Sequence, residues 1–546
     1  MRVLLVNLKM PFTLISFDET CKMLGGKNFM PPLGLITVAA LLPSEWQLRL
    51  VDLKVKPLTD TDWDWAEMVM VSSMYLQQKE LLHLIKQAKE RGKPIVAGGP
   101  GPTSRPYEMV EASVDFVVIG EAENTISSFL QALKAGRTRG VFKSEGKPDM
   151  GLSPVPRFDL LGLDAYQDMS VQTSRGCPFD CDFCDVKALY GSRMRHKSPD
   201  QVMAELDYLY GLGWRGEIFI SDDNFIGNRP NARAILLKLI PWMEDHGKPF
   251  GFVTETSINL GQDLEMIDLM TEANFSHVLI GIETPDKDIL IANRKFQNAR
   301  NSLHQCVDTI RKNGLEVSAS FILGFDGEKC GAGRRICEFV EQTNIPFAVL
   351  HTLQVMPNTK LCDRLKKEGR LLEEKTTGNS TGARLNYIPT RPEKEILCEY
   401  VDALNRLYEP TAYLARAYRS ILSTRPTRKA LALERGETPP PDVPRQRPAF
   451  RRRLRDKIAF FRLLWRQGIV SRVSIQFWRQ LIGVLRNNPS RIVRYLCACG
   501  LGENFFLLRK MIPKRMAYES RELFSNDFNW EMARAEMAQD GNRIKK

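Results

Sequence analysis

The chain has few of the features that mark secreted or membrane-spanning proteins. Its 546 residues include 11 cysteines and 6 histidines. The cysteines are neither dense nor evenly paired, which excludes a small disulfide-stabilised scaffold. No run of 18 uncharged apolar residues occurs, so we expect no membrane-spanning helix. The apolar start, Arg2 to Asn7, is too short for a signal peptide core and is predicted as a strand. These absences favour a cytoplasmic protein.

Three of the cysteines have an informative spacing. Cys177, Cys181 and Cys184 are separated by three and then two residues, which suits three thiolates on one iron–sulfur cube with a fourth iron left open. Zinc is the alternative metal. Zinc takes four protein ligands in structural sites, or three and a water in catalytic ones, and only His196 follows within reach. The spacing therefore indicates a metal site, and a cluster fits it better than zinc.

These cysteines, after the apolar-to-polar strand Met169 to Ser174, resemble the signature of the radical S-adenosylmethionine (SAM) enzymes. The resemblance implies a 4Fe–4S cluster whose open iron binds the amino and carboxylate groups of SAM. One electron from the cluster then cleaves SAM to a 5′-deoxyadenosyl radical. It also implies a protein that supplies this electron, such as reduced flavodoxin or ferredoxin.

Residues 1–135 alternate apolar strands with helical patterns, which predicts a doubly wound, Rossmann-like α/β domain with ligands beyond the carboxyl ends of its strands. Placed before a radical SAM segment, it resembles a cobalamin-binding domain. No histidine precedes His83, so we expect cobalamin without a histidine lower ligand, a pattern typical of the methylating branch. The alternative is a scaffold that has lost cobalamin. The predicted cobalamin-binding residues follow three strands: Ser72, Ser73, Gly98, Gly99, Gly120 and Glu121.

A polar linker is predicted over residues 136–167, and the strand–helix alternation returns over 168–365. Six such units predict a partial (β/α)6 barrel of the TIM type, with its functional residues at the carboxyl ends of the strands. Asp222 and Asp223 stand where the family carries Gly-Glu, which leaves their contact with the SAM ammonium group open. The predicted SAM-binding residues are Asp222, Asp223, Asn224, Thr254, Glu255, Glu283 and Gly324.

The remaining segment, 366–546, is predicted as a mainly α-helical, basic extension. Between Arg445 and Met516 there are 18 Lys and Arg residues against 2 Asp and Glu, whereas the whole chain carries a net charge of +12. Aromatic and aliphatic residues alternate with arginines at helical spacing, which favours peripheral contact with the inner face of a membrane. RNA binding and simple packing against the barrel are the alternatives. Nucleic acid is the less favoured partner because no RNA-binding module is recognisable.

This domain order, with the stretches Pro31 to Pro43 and Asp222 to Asn228, is similar to a subgroup that includes the hopanoid C-2 methylases. The resemblance implies a cobalamin-dependent radical SAM methyltransferase that methylates an unactivated carbon of a small molecule or of a lipid such as a hopanoid. One alternative is an oxidative cyclase or rearrangement enzyme that uses cobalamin without methyl transfer. Another alternative is a tRNA-modifying methylthiotransferase-like enzyme. Such enzymes usually assemble a second cluster on three N-terminal cysteines, whereas the N-terminal domain here contains only Cys21.

Overall fold

Two six-stranded sheets, each entirely parallel, form the framework of the protein. A computed structural model describes residues 1–11, 13–372, 384–437 and 450–519. Residues 438–449 and 520–546 of the predicted basic extension therefore lie outside the described residues. The α/β class, the two parallel sheets and the helical C-terminal region agree with the fold predicted from the sequence.

The first sheet has the strand order β2-β1-β3-β4-β5-β6. Strand β1, between β2 and β3, is buried on both faces: Leu4 and Val6 pack into one core, whereas Val3 and Leu5 pack into another. Helices therefore cover both faces, as in a doubly wound fold. The strands are β1 Arg2–Asn7, β2 Gln47–Asp52, β3 Met68–Ser72, β4 Ile95–Gly98, β5 Phe116–Ile119 and β6 Gly140–Lys143. The helices are α1 Asp18–Leu24, α2 Leu33–Leu41, α3 Asp60–Trp65, α4 Gln78–Glu90, α5 Pro100–Ser104, α6 Pro106–Glu111 and α7 Ala122–Lys134.

Strand β6 lies in the stretch that the sequence predicted as linker. It pairs in parallel with β5 at the edge of the sheet. Its residues alternate between exposed and half-buried positions, so it lacks the apolar run by which the other strands were recognised. The first sheet thus extends eight residues beyond the predicted boundary at 135.

The second sheet forms the partial barrel, with the order β7-β10-β11-β12-β13-β14. Its strands are β7 Met169–Val171, β10 Glu217–Ile220, β11 Gly251–Thr256, β12 Phe275–Glu283, β13 Glu316–Leu323 and β14 Ala348–Thr352. A small antiparallel ladder, β8 Ser174–Arg175 with β9 Arg195–His196, follows β7. The helices are α8 Val186–Tyr190, α9 Pro199–Gly211, α10 Arg229–Asp245, α11 Leu264–Glu272, α12 Lys287–Ala292, α13 Phe296–Ala299, α14 Leu303–Lys312 and α15 Ala332–Thr343.

The C-terminal region is helical and packs on the barrel. Its helices are α16 Lys360–Lys367, α17 Glu393–Leu407, α18 Pro410–Ser423, α19 Arg428–Glu434, α20 Phe450–Trp465, α21 Ser474–Asn487 and α22 Ile492–Glu519, with a π-helical turn at Arg466–Val470. The fully buried Arg416 donates to the carbonyl of Ile345 at 2.8 Å. Arg494 of α22 pairs with Glu316 at 2.7 Å. Such long-range contacts join the region to the barrel core.

A search of the described helices for membrane spans found none that is both long and apolar enough.

Candidate active site

The three cysteines lie in the loop between β8 and α8. Gly176 opens this loop with φ of +93°, and a Cβ there would come within 3.0 Å of the carbonyl oxygen of Gly191, so the tight entry requires glycine. Burial raises the pKa of the Cys177 and Cys184 thiols, and the backbone N–H groups of Phe179 and Val186 oppose this by favouring the thiolates. The side-chain amide of Gln297 lies 3.6 Å from the sulfur of Cys181. Three thiols served by N–H donors form a donor set that fits an iron–sulfur cluster.

The arrangement of the thiols bears on the choice between zinc and a cluster. Within the described ranges, no three His, Cys, Asp or Glu side chains come close enough to share one metal ion. A single zinc ion needs its ligands to converge, whereas each thiolate of a cube binds its own iron. His196, the one histidine near the loop in sequence, instead places its Nε2 3.0 Å from the amide of Asn228. The histidine expected as a further zinc ligand is thus engaged with Asn228.

Asp222 holds the chain that leads into the cysteine loop. Its buried carboxylate accepts hydrogen bonds from the backbone N–H groups of Thr173 and Ser174 at 2.7 and 3.0 Å. It also accepts from both hydroxyl groups of these residues. Four donors use the acceptor capacity of this side chain. We therefore expect Asp222 to position the loop. The contact with SAM that the sequence predicted for Asp222 is then expected from its neighbours Asp223 and Asn224.

Asp223 and Asn224 continue from the same strand end. A carboxylate oxygen of Asp223 accepts the N–H of Gly176 at 2.9 Å, next to the first cysteine. Burial, with the charge of Asp222 as a smaller contribution, raises the pKa of Asp223 to about 6. The side-chain oxygen of Asn224 accepts the N–H of Ser257 at 3.1 Å, and its buried Nδ2 has no hydrogen-bond partner in the described part of the chain. Both residues keep polar atoms available for a ligand.

Two further carboxylates stand on the adjacent strands β11 and β12. Burial, with charge repulsion from Asp223 and Glu283 as smaller contributions, raises the pKa of Glu255 to about 7. The three carboxylates thus face one region. Glu283 is 6% exposed and has φ of +66° at a bulge in β12. A non-glycine residue in this strained conformation is often found at a functional site.

Lys295 is the cation that faces this acidic region. Its ammonium group pairs with Glu283 and lies 5.8 Å from the centre of the Phe183 ring within the cysteine loop. Burial alone would lower the pKa of Lys295, but the negative charges of Glu283 and Cys181 outweigh it, so the pKa is raised. Lys295 offsets the charge of Glu283. The remaining negative charge beside the cysteines therefore comes from Asp223 and Glu255, and a bound cation would favour their ionised forms. Such a field suits the ammonium and sulfonium groups of SAM.

Thr254 and Gly324 serve the frame of the barrel. The hydroxyl of the fully buried Thr254 donates to the carbonyl of Ile220 at 3.0 Å, which joins β11 to β10. Gly324 has φ of +108°, its N–H donates to Glu328 at 2.9 Å, and its carbonyl accepts the hydroxyl of Tyr387. Their placement at strand ends agrees with the sequence prediction, and their contact with SAM stays a prediction.

The six predicted cobalamin-binding residues lie together at the carboxyl edge of the first sheet. The N–H of Ser73 donates to the carbonyl of Gly98 at 3.1 Å, and that of Gly120 to the hydroxyl of Thr103 at 3.0 Å. Ser73 is 2% exposed, and its hydroxyl has no hydrogen-bond partner among the described residues. An unsatisfied buried hydroxyl is costly without a ligand. This edge therefore fits a group such as cobalamin that can supply the missing partner.

Gly99→Ala should weaken cobalamin binding at this edge. Gly99 has φ of +94°, and a Cβ there would lie 2.6 Å from the hydroxyl oxygen of Ser72. Gly136→Ala is the matched control, because Gly136 has φ of +74° with nothing within 4 Å of a Cβ. The control isolates the backbone strain of about 1–2 kcal/mol. We expect at least a roughly tenfold loss of cobalamin affinity, about 1.4 kcal/mol, for Gly99→Ala alone. Equal affinities of both variants in an absorbance titration would contradict this placement.

A buried ion-pair network joins the two candidate cofactor sites. Arg175, two residues before Cys177, pairs with Glu121 at 2.7 Å and with Glu123 at 2.8 Å. Arg195 of β9 pairs with Glu121 at 2.9 Å. Burial alone would raise the pKa of Glu123, but the Arg175 guanidinium outweighs it and holds the pKa below its usual value. The carboxyl edge of the first sheet therefore lies directly against the cysteine loop.

Several residues of this site had no signal in the sequence. Arg175 lies within the cysteine segment, but nothing in the pattern indicates its partners, 54 residues away at Glu121. Lys295 and Gln297 follow α12 without any recognisable motif. Lys295 could have been considered only after Glu283 had been assigned to the site, because its role is to pair with Glu283.

Comparison with protein-family models divides the chain into three matched stretches. The B12 binding domain matches residues 25–130, the radical SAM superfamily matches 171–339, and a domain of unknown function matches 359–517. The first two coincide with the sheet edge and with the cysteine loop described above. Their cofactors are cobalamin on one side and a 4Fe–4S cluster with SAM on the other.

Curated relatives match nearly the whole chain. An uncharacterised methyltransferase of Synechocystis sp. (strain PCC 6803) is 44% identical over 526 residues, covering 96% of this chain and 95% of the relative. The hopanoid C-2 methylase of Rhodopseudomonas palustris (strain TIE-1) is 33% identical over 455 residues, covering 83% of each chain.

A solved structure shares the fold. It is the radical SAM methyltransferase TsrM from Kitasatospora setae with cobalamin and a 4Fe–4S cluster bound, at a TM-score of 0.57 and 15% identity, covering 84% of this chain and 99% of that chain. Together with the relatives, the family models and the sites brought together here, this places the chain in a family: it belongs to the cobalamin-dependent radical SAM methyltransferases.

Proposed function

We propose that the protein transfers a methyl group to an unactivated carbon of an apolar lipid. One observation carries the proposal: the Arg175 network holds the carboxyl edge of the cobalamin domain against the cysteine loop. A substrate between the two edges would be reached from both sides. When bound, the cluster and SAM supply a radical that removes hydrogen from carbon, and cobalamin supplies the methyl group.

The side chains of this site have separable roles in the proposed reaction. Cys177, Cys181 and Cys184 hold the cluster, and Asp222 fixes the chain that enters their loop. Asp223, Glu255 and Glu283 hold the SAM cation, and Lys295 offsets the charge of Glu283. Ser73 and Gly99 form the cobalamin edge. The chain thus binds and orients its cofactors, and the reactive chemistry belongs to them.

Two observations support a lipid as the substrate class. The relative from R. palustris with 33% identity is named for its action on hopanoids. In addition, exposed apolar side chains are concentrated in the C-terminal helices, with Phe461 67% exposed and Ile475 84% exposed. Exposed apolar surface of this kind marks sites that contact membranes, other proteins or apolar ligands, and a lipid substrate would be met at a membrane.

An electron carrier also has a suitable surface beside the cluster loop. Lys187, Arg294 and Lys360 surround Asp180, each with about half of its side chain exposed. Lys187 and Lys360 donate to Asp180 and hold its pKa at about 2. Asp182 also pairs with Arg294, at 3.8 Å, so three cations against two carboxylates leave this rim with a net positive charge. We propose that it receives an acidic reductant such as flavodoxin or ferredoxin.

The substrate class can be tested by supplying the anaerobically reconstituted enzyme with SAM labelled in its methyl group. Parallel reactions would contain a membrane-lipid extract or the water-soluble extract of the same cells. We expect the label in a lipid that chromatographs with apolar compounds, and only in the first reaction. Label confined to the water-soluble fraction would contradict the proposed substrate class. Deoxyadenosine without S-adenosylhomocysteine would instead indicate a cyclase or rearrangement enzyme.

A further inference from the structure

An apolar surface lies on α20, α21 and the π-helical turn between them. We call it the α20–α21 face and define it by its exposed side chains: Leu454, Ile458, Phe461, Trp465, Ile469, Val470, Ile475, Trp478, Ile482 and Leu485. The exposed fractions run from 40% for Trp478 to 84% for Ile475. Soluble proteins rarely expose so many large apolar side chains in one place.

Each helix of this face has one apolar stripe packed inward and another directed outward. On α21, Phe477, Leu481 and Val484 are buried against the rest of the protein. Ile475, Trp478, Ile482 and Leu485 recur at steps of three and four residues on an exposed side. On α20 the exposed stripe has the same periodicity at Leu454, Ile458, Phe461 and Trp465. On α20 the buried apolar residues are Ala459 and Leu463, so core packing accounts for less than half of the apolar residues of these helices.

The two stripes adjoin at the turn. The indole N–H of Trp478 donates to the carbonyl of Gly468 at 2.8 Å, and a Cβ on Gly468 would lie 2.9 Å from the indole ring. Glycine thus allows the ring of Trp478 to lie on the backbone next to Ile469 and Val470. The turn therefore connects the two exposed stripes along the chain, and Trp478 of α21 packs on it.

Positive charge borders this face. Arg472, Arg479 and Arg486 recur every seven residues, are exposed, and form no ion pair with any described residue. Between Leu454 and Asn487, Asp456 is the one acidic residue. An apolar face edged by unpaired arginines is complementary to a surface with negative charge above an apolar layer.

We propose that the α20–α21 face docks the enzyme on an anionic lipid bilayer, with its apolar side chains at the level of the headgroups and its arginines on the phosphates. This rests in part on the proposed function, because an apolar lipid substrate would be taken from that bilayer. The face is fixed to the catalytic part of the chain: Arg462 donates to the carbonyl of Lys22 at 3.1 Å, and Arg455 to that of Asp164 at 2.9 Å. Docking would therefore hold the cobalamin domain near the membrane.

The test is co-sedimentation of the full-length protein with vesicles, which needs no turnover. One set of vesicles contains phosphatidylcholine alone, and the other contains phosphatidylcholine with phosphatidylglycerol. Three variants are compared with the wild type: an apolar variant (Ile475→Ser, Ile482→Ser, Leu485→Ser), a charge variant (Arg472→Gln, Arg479→Gln, Arg486→Gln) and a control. The control replaces exposed apolar residues elsewhere, Leu152→Ser, Leu237→Ser and Leu264→Ser, which are 61%, 46% and 59% exposed. Circular dichroism and cobalamin binding verify folding.

We expect the wild type and the control to bind the anionic vesicles and to bind the neutral ones weakly. The charge variant should lose about 100-fold in vesicle affinity, since each of its three arginines near an anionic surface contributes about fivefold. The apolar variant should lose at least about tenfold. Binding by both variants at the level of the control would overturn the proposal. A wild-type protein that does not bind the vesicles would also overturn it. In that case self-association or RNA binding would be the use of this face. Because no methylation is measured, any of these results leaves the proposed reaction to its own test.

Discussion

Replacing Cys181 with alanine should abolish the formation of 5′-deoxyadenosine. A cube held by two thiolates lacks the ligand set of this family, and without the cluster no electron reaches SAM. We expect the rate to fall by more than about 1,000-fold, equivalent to more than about 4 kcal/mol in the barrier. The measurements are iron and sulfide content after anaerobic reconstitution and the yield of deoxyadenosine with a strong reductant.

Cys330→Ala is the matched control for this experiment. Cys330 is an exposed free cysteine outside the loop, so its removal tests whether the loss of any thiol disturbs reconstitution. We expect this variant to retain iron, sulfide and deoxyadenosine formation at wild-type levels. Full turnover by Cys181→Ala, or equal losses in both variants, would contradict the assignment of the cluster to the loop.

Replacing Arg175 with methionine should destabilise the protein strongly. The side chains of Arg175, Glu121 and Glu123 are 12%, 6% and 3% exposed. The variant leaves Glu123 buried without the Arg175 guanidinium, and leaves Glu121 with Arg195 alone. Breaking a buried pair in this way typically costs about 3–5 kcal/mol. We expect a thermal midpoint lower by roughly 5 °C or more. Cobalamin affinity and cluster content should also fall together, because Arg175 connects the two sites.

An exposed ion pair provides the comparison. Arg157 pairs with Asp159 at 2.7 Å, with 40% and 33% of the side chains exposed, and Arg157→Met should cost less than about 1 kcal/mol. Adding Glu123→Gln to Arg175→Met should restore part of the stability, since the carboxylate that lost its partner is then uncharged and Glu121 still pairs with Arg195. If Arg175→Met unfolds no earlier than Arg157→Met, the network does not hold the two domains together.

The framework of the fold could be predicted because most of its strands are apolar runs. Leu4, Leu5 and Val117 are buried in the two-sided core of the first sheet, and such strands are visible without any structure. Strand β6 was missed because it is an edge strand with half of its residues exposed. The ladder of β8 and β9 was missed because strands of two residues have no periodicity.

The active site was predictable only where residues stand close together in sequence. The spacing of Cys177, Cys181 and Cys184 carries its own chemistry. Glu283 could be predicted from its place at a strand end. The partners that complete the site lie on other elements. Lys295, beyond helix α12, pairs with Glu283 of β12, and Arg175 pairs with Glu123 in the other domain. These contacts depend on how two sheets meet, which no local pattern encodes. For the same reason the sequence could not distinguish the positioning role of Asp222 from a contact with SAM.

The central claim is that both cofactors act on one substrate in the space between the two sheet edges. The most direct measurement counts products: the anaerobic enzyme, supplied with cobalamin, SAM and lipid extract, is assayed for deoxyadenosine, S-adenosylhomocysteine and methylated lipid. We predict equal amounts of all three, because each turnover consumes one SAM for hydrogen removal and one for methylation. Methylated lipid formed without deoxyadenosine, or deoxyadenosine formed without methylated lipid, would contradict it.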